Sequence, residues 1–188
     1  MVGAIKAMQS GGMKVGLGPI VRSDARLFIL GSLPGDASLA AGQYYAHPQN
    51  QFWRLLGQVI GEALPELSYQ DRLDCLADHR IGLWDVIGSA QRRGSLDQAI
   101  RLANHNGIER LVEKFQHLEA IAFNGGTSAA IGRKLIGHGQ RVALIDLPSS
   151  SPANTRPFQE KAVVWAQLRP FCGAPPCARG QSGQKGNR

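Results

Sequence analysis

Apolar positions along this chain follow two rhythms. Four short apolar runs, Leu27–Leu30, Leu83–Ile87, Ala120–Phe123 and Val142–Leu147, are each followed by a Gly-, Pro- or Ser-rich turn and read as strands. Between them the spacing lengthens to three and four residues. Phe52, Leu55, Leu56, Val59 and Ile60 share one face of a helix predicted from about Gln51. Ser68-x-x-Asp71 resembles a capping box, and Ser95-x-x-Gln98 and Asn106-x-x-Glu109 predict two further helix starts. Helices over Gly126–Ile136 and Pro157–Leu168 complete the set, with Pro157 suited to a first turn. Strands alternating with helices predict an α/β fold with a parallel sheet covered on both faces, without specifying strand order. Ligands of such sheets sit beyond the carboxyl ends of the strands. That rule selects the loops 31–50, 85–95, 124–127 and 148–156.

Composition narrows the class. The 188 residues suit one domain with a substantial core, and no apolar stretch approaches the roughly 20 residues needed to span a bilayer. The start of the chain lacks the apolar core of a secretory signal. Cys75, Cys172 and Cys177 match neither a disulfide framework nor a metal-ligand spacing, so reduced thiols in a cytoplasmic protein are expected. Of the net charge of +7, all but +1 is carried by the ends. Lys6, Lys14, Arg22, Arg179, Lys185 and Arg188 lie in acid-free stretches, leaving 15 basic and 14 acidic residues between them. The expected organisation is a flexible basic leader (1–22), one domain (23–172) and a flexible basic tail (173–188). Such ends either strengthen contact with a phosphate backbone or are simply solvated.

The selected loops hold the unusual chemistry. Asn124-Gly125-Gly126 is either a phosphate site at a helix N-terminus or a tight strand-to-helix turn, and it matches neither standard nucleotide motif. Asp85 sits at an apolar strand end, where a carboxylate needs either a partner such as Arg92 or Arg93 or a role as an acceptor aimed into the crevice. Ser149, Ser150, Ser151 and Asn154 lie between prolines in a stiffened loop, either an ordinary turn or a set of phosphate contacts. Asn50 could cap the helix it precedes, and Tyr44 and Tyr45 could anchor their loop over the sheet.

Taken in order, these segments resemble the uracil-DNA glycosylase superfamily, and within it the hypoxanthine-DNA (deoxyinosine) glycosylase branch. Gly31-Ser32-Leu33-Pro34-Gly35 with Tyr44 through Trp53 resembles the first motif. Gly82–Ile87, Gly94–Asp97, Phe123–Gly125 and Leu147–Asn154 follow in register. The resemblance runs from about residue 26 to 170. It implies a three-layer α/β/α fold around a four-stranded parallel sheet. It also implies an enzyme that flips a deaminated base from DNA and hydrolyses its N-glycosidic bond without metal or cofactor.

Residue by residue, the resemblance implies Asn50 as the group that orients the attacking water, with Asp36 as its alternative. Relatives carry that group at the third position of the first motif, which here is Leu33. Relatives often place a His at the start of their second motif, and here Leu147 stands instead. Tyr45 matches the residue on which the base stacks, with Tyr44 beside it. Asp85 matches the reader of the base edge, and Asn124 the complementary donor. Ser32, Pro34, Ser149, Ser150, Ser151 and Asn154 would contact DNA. The expected partner is double- or single-stranded DNA carrying a deaminated base, hypoxanthine foremost, with no membrane contact, and the chain is expected to act as a monomer in base excision repair. Uracil or xanthine is the alternative substrate, and a silent nucleic-acid-binding domain the alternative class.

Overall fold

The computed structural model describes residues 12–173. In chain order the elements are β1 (Met13–Val15), β2 (Leu27–Gly31), α1 (Asp36–Ala41), α2 (Phe52–Ile60), α3 (Tyr69–Asp78), β3 (Ile81–Asp85), β4 (Ile87–Arg92), β5 (Ile100–His105), α4 (Leu111–Lys114), β6 (Ala120–Asn124), α5 (Gly126–Ile136), β7 (Ala143–Leu147) and α6 (Phe158–Trp165). No helix among the described residues is long and apolar enough to cross a membrane.

Strands β2, β3, β6 and β7 form a four-stranded parallel sheet in the order β3-β2-β6-β7. Side chains of the central strand β2 alternate between two cores. Leu27 and Ile29 pack with Phe52, Leu55, Leu76 and Trp165 from α2, α3 and α6. Phe28 and Leu30 pack with Leu111, Ala129 and Ile136 from α4 and α5. The sheet is thus the middle of three layers. All of β2 is buried, which is why it reads as an uninterrupted apolar run rather than an alternating one.

Strand order places the site. The chain builds β3 on one side of β2 and later lays β6 on the other, so the winding reverses between β2 and β6. A crevice opens at such a switch point. Register then aligns the strand ends: Gly31 lies beside Asp85, and Asn124 beside Leu147. The Ser68 cap forms as expected, its hydroxyl accepting the Asp71 N–H at 3.2 Å.

Three expectations change. The run Leu83–Ile87 belongs to two strands, because the chain leaves the parallel sheet at Asp85 and enters a small antiparallel sheet, β1-β4-β5, at Ile87. The helix expected from Ser95 is one 3-10 turn (Asp97–Ala99) followed by β5. Ser95 Oγ, its expected cap, instead accepts the Asp36 N–H at 2.9 Å, and pairing with β4 outweighs the weak local helical pattern. The helix expected from Asn106 shrinks to a 3-10 turn and the four-residue α4, and the Asn106 amide donates to the Asp85 carbonyl at 2.8 Å.

The leader also differs where it is described. Met13 pairs with Gln91 and Val15 with Ser89, and Ile20 bridges Leu83, so the folded unit begins before residue 23. Residues 1–11 of the leader and 174–188 of the tail lie outside the described residues.

Candidate active site

Beyond the carboxyl ends of β2, β3 and β6 lies a cleft of about 600 Å³. Every residue singled out in the sequence as a site candidate lines it, together with Ser95, Leu96 and Asp97 from the turn between β4 and β5. Asp85 forms part of its buried wall, only 3 % exposed, and its Oδ2 has no hydrogen-bond partner. Burial pushes this carboxyl up to about 7, assisted by the nearby Asp97 and opposed by hydrogen bonding to Tyr44 and by the charge of Arg92. Gly31 makes room for it, since a Cβ there would overlap Asp85 Oδ1 and crowd the Tyr45 hydroxyl at 3.2 Å. The Tyr45 hydroxyl is likewise buried without a partner. Two unsatisfied polar atoms side by side are costly in an interior and call for a ligand or water to complete them.

Tyr45 stands in the left-handed region at φ 54°, which a bulky residue occupies only when its surroundings hold it there. Phe52 supplies the hold: the rings stack at 3.7 Å between centroids and 9° between planes. One face of Tyr45 is therefore covered, and a base could stack only on the other. Tyr44 does not share that role. It is buried in the core, its hydroxyl directed at the carbonyls of Leu17 and Gly18 and its N–H donating to Tyr69 Oη at 2.9 Å. Packing, rather than base contact, is what this geometry gives it.

Asn50 precedes α2, and its Oδ1 accepts the Phe52 N–H at 3.0 Å. That bond fixes the amide orientation and leaves a second lone pair on Oδ1. Asp36 is placed differently. It opens α1 at the rim, mostly exposed and ion-paired with Lys14, so its carboxylate is already engaged. Leu33 and Leu147 are turned into the two cores, one into each.

The opposite wall is the loop after β7. Asn124 and Ser150 exchange bonds: Asn124 Nδ2 donates to Ser150 Oγ at 2.9 Å, and the Ser150 N–H donates to Asn124 Oδ1 at 2.8 Å. The Ser150 carbonyl accepts the Gln51 N–H at 3.0 Å. Ser150 is thus a buried strut, not an exposed DNA contact, and Asn124 keeps only its second Nδ2 hydrogen for a ligand. Asn154 Nδ2 closes the loop by donating to the Ser149 carbonyl at 3.0 Å.

One contributor serves otherwise than the sequence suggested, and two others were given no role there. Arg92, 1 % exposed, donates Nε to the Gly94 carbonyl, Nη1 to the Leu33 carbonyl at 3.0 Å and Nη2 to the Pro34 carbonyl. It is therefore not the partner of Asp85 but the clamp on the first motif. Asp97 Oδ1 accepts the Ser32 hydroxyl at 2.7 Å. Lys161, fully buried, donates to Gln51 Oε1 at 3.0 Å and the Asn154 carbonyl at 2.8 Å, tying the two motif loops together. A lysine within the helical run of α6 carries no signal of this in sequence, whereas Gly94–Asp97 stood out as a segment without a chemical task. Toward the other end of the sheet, ligand atoms of Glu62, Cys75 and His79 lie within 4.8 Å of one another, and no fourth His, Cys, Asp or Glu joins them among the described residues.

Comparison with known proteins agrees with this geometry. The profile of the uracil DNA glycosylase superfamily matches residues 19–169. A hypoxanthine DNA glycosylase of Methanosarcina barkeri is 40% identical over 154 residues, covering 82% of this chain and 96% of that protein. Its namesake from Methanosarcina acetivorans is 39% identical over 153 residues, covering 81% and 96%. A solution NMR structure from Methanosarcina acetivorans, described as a candidate uracil DNA glycosylase, superposes with a TM-score of 0.74 at 36% identity, covering 85% of this chain and 99% of that one. The sheet order, the cleft at its switch point and these similarities converge: the chain belongs to the uracil DNA glycosylase superfamily.

Proposed function

We propose that this protein is a monofunctional DNA glycosylase that extrudes a deaminated base, hypoxanthine foremost, and hydrolyses its N-glycosidic bond as the first step of base excision repair. The observation that carries the reading is the buried Asp85 carboxylate with its unpartnered Oδ2, set beside the unpartnered Tyr45 hydroxyl in the cleft. A flipped hypoxanthine presents N1–H to such an acceptor, and adenine has no hydrogen there. Uracil and xanthine offer ring N–H donors as well, so the acceptor selects deaminated bases as a class. The hypoxanthine DNA glycosylases at about 40% identity favour the purine.

In the reaction, positive charge grows on the sugar and negative charge on the departing base, and the site must stabilise both while presenting a water to C1′. Asn50 holds that water through the free lone pair of Oδ1. An amide is a poor base, so it acts by positioning. The open face of Tyr45 supports the base, and stacking of this kind contributes ~1–3 kcal/mol. Ser32, Ser149 and Ser151 are left to meet the DNA backbone, since Pro34, like Ser150, is buried.

Charge on Asp85 sets the selectivity. Ionised, it accepts N1–H and repels the lone pair of adenine N1. Protonated, it offers adenine a donor. Because its titration lies near pH 7, discrimination against undamaged adenine strengthens as the pH rises through that value. The defining experiment is release of base from labelled duplexes carrying deoxyinosine, deoxyuridine or deoxyxanthosine, by wild type and Asn50→Ala. Inosine-led release that collapses in the variant supports the assignment. Release that survives moves the water to another group, and none from any lesion leaves a binding domain without turnover.

A further inference from the structure

One lip of the cleft is the turn between β4 and β5, and its backbone is tied down on both sides of one residue. The Gly94 carbonyl accepts from Arg92 Nε at 3.0 Å and from Lys14 Nζ at 2.7 Å. Ser95 Oγ accepts the Asp36 N–H at 2.9 Å, and Asp97 Oδ1 accepts the Ser32 hydroxyl at 2.7 Å. Leu96 stands between these anchors, 57% exposed and lining the cleft.

A lone exposed leucine on an ordinary surface needs no explanation. This one sits on a braced loop beside the groups that would hold a flipped base, so presenting it to a ligand costs little further ordering. Extruding a base leaves a gap in the stack, and proteins that deform DNA fill such gaps with apolar side chains. The Ser-rich loop that also lines the cleft, Ser149-Ser150-Ser151-Pro152-Ala153-Asn154, has no large apolar side chain for the purpose. The geometry points to Leu96 as the residue that enters the vacated stack, making the β4–β5 lip the wedge of this enzyme. The inference rests on the glycosylase reading, and its ligand is the base step flanking the lesion in duplex DNA. An unpaired strand has no complementary stack to hold open, so the wedge matters most on the duplex.

The test is single-turnover hypoxanthine release from an inosine duplex and from the same strand unpaired, using wild type, Leu96→Ala and Leu96→Met. The expected result is a loss for Leu96→Ala at least tenfold greater on the duplex than on the single strand, largely restored by Leu96→Met. A 2-aminopurine beside the inosine should brighten when wild type binds the duplex and stay dim with Leu96→Ala. Equal losses on both substrates, or an unchanged duplex rate, would overturn the wedge. If wild type releases nothing from either substrate, the glycosylase reading itself fails, and the 2-aminopurine signal still decides whether Leu96 opens the stack.

Discussion

The two sheets of this molecule are built by opposite rules. The parallel sheet is central, its inner strand β2 buried throughout, and it holds Gly31, Asp85 and Asn124 level by register alone. The antiparallel sheet β1-β4-β5 is peripheral and leaves Met13, Val15 and Leu102 exposed. Yet it supplies the brace: Arg92 at the end of β4 grips two carbonyls of the first motif, and Lys14 on β1 reaches Asp36. The burial that packs the first sheet also makes it the place where a carboxylate with one oxygen unpartnered can be kept. The second sheet holds the first motif in place through directional bonds to backbone oxygen.

This contrast can be broken at four places. The largest effect is expected at Asn50, which belongs to the parallel unit through α2. Asn50→Ala should slow base release by about 10²–10³, roughly 3–4 kcal/mol in the barrier, while Asn50→Asp keeps an acceptor for both the Phe52 N–H and the water. Single-turnover rates decide it, and a loss below tenfold would remove Asn50 from the reaction.

Next comes the brace. Arg92→Met strands buried carbonyls of Leu33 and Pro34, at ~1–3 kcal/mol each. It should lower stability by about 3 kcal/mol in urea denaturation and slow base release as the first motif loosens. An unchanged midpoint would mean the small sheet is not a clamp.

Asp85 tests the parallel sheet as a store of strain. Its folded pKa is about 7 against 3.8 for the free group, so the native state binds the extra proton and stability falls as the pH rises from about 4 to 7. Asp85→Asn should therefore be more stable than wild type at pH 8, by roughly 2–4 kcal/mol, with the gain gone near pH 4. Thermal denaturation across that range reads it directly, and a gain that does not change with pH would mean the carboxylate is not the source of the penalty.

The smallest effect belongs to the Lys14–Asp36 ion pair. It lies near the surface, so Lys14→Ala should cost under 1 kcal/mol and less still in high salt. A loss comparable to that of Arg92→Met would show that the brace depends on charge more than on buried hydrogen bonds.

How much of this was legible in sequence follows from the kind of signal each part leaves. The inner strands β2 and β6 announced themselves because burial on both faces demands continuous apolar runs, whereas the half-exposed edge strand β7 reads as a run interrupted by Asp146. Asp85 and Asn124 stood out because polar groups at apolar strand ends are rare, and Tyr45 and Asn50 because they crowd the long loop before α2. Strand β5 did not: Ile100–His105 alternates weakly, and Ser95 imitates a helix cap while its hydroxyl serves Asp36 across the cleft. Tyr44 and Ser150 looked like ligand contacts and became struts, because a hydroxyl in sequence gives no hint of whether its partner will be protein or DNA.

By itself, then, the amino-acid order determined the α/β class, the main helices, the four apolar runs that become the parallel strands and the loops where chemistry gathers, since periodicity and turn residues act locally. Only the tertiary structure decided strand order, the pairing of Gly31 with Asp85, the reach of Arg92 and Lys161 between loops and the exposure of Leu96. Those depend on contacts between residues tens of positions apart, where the energy of burial and of hydrogen bonding is settled by what arrives from elsewhere in the chain.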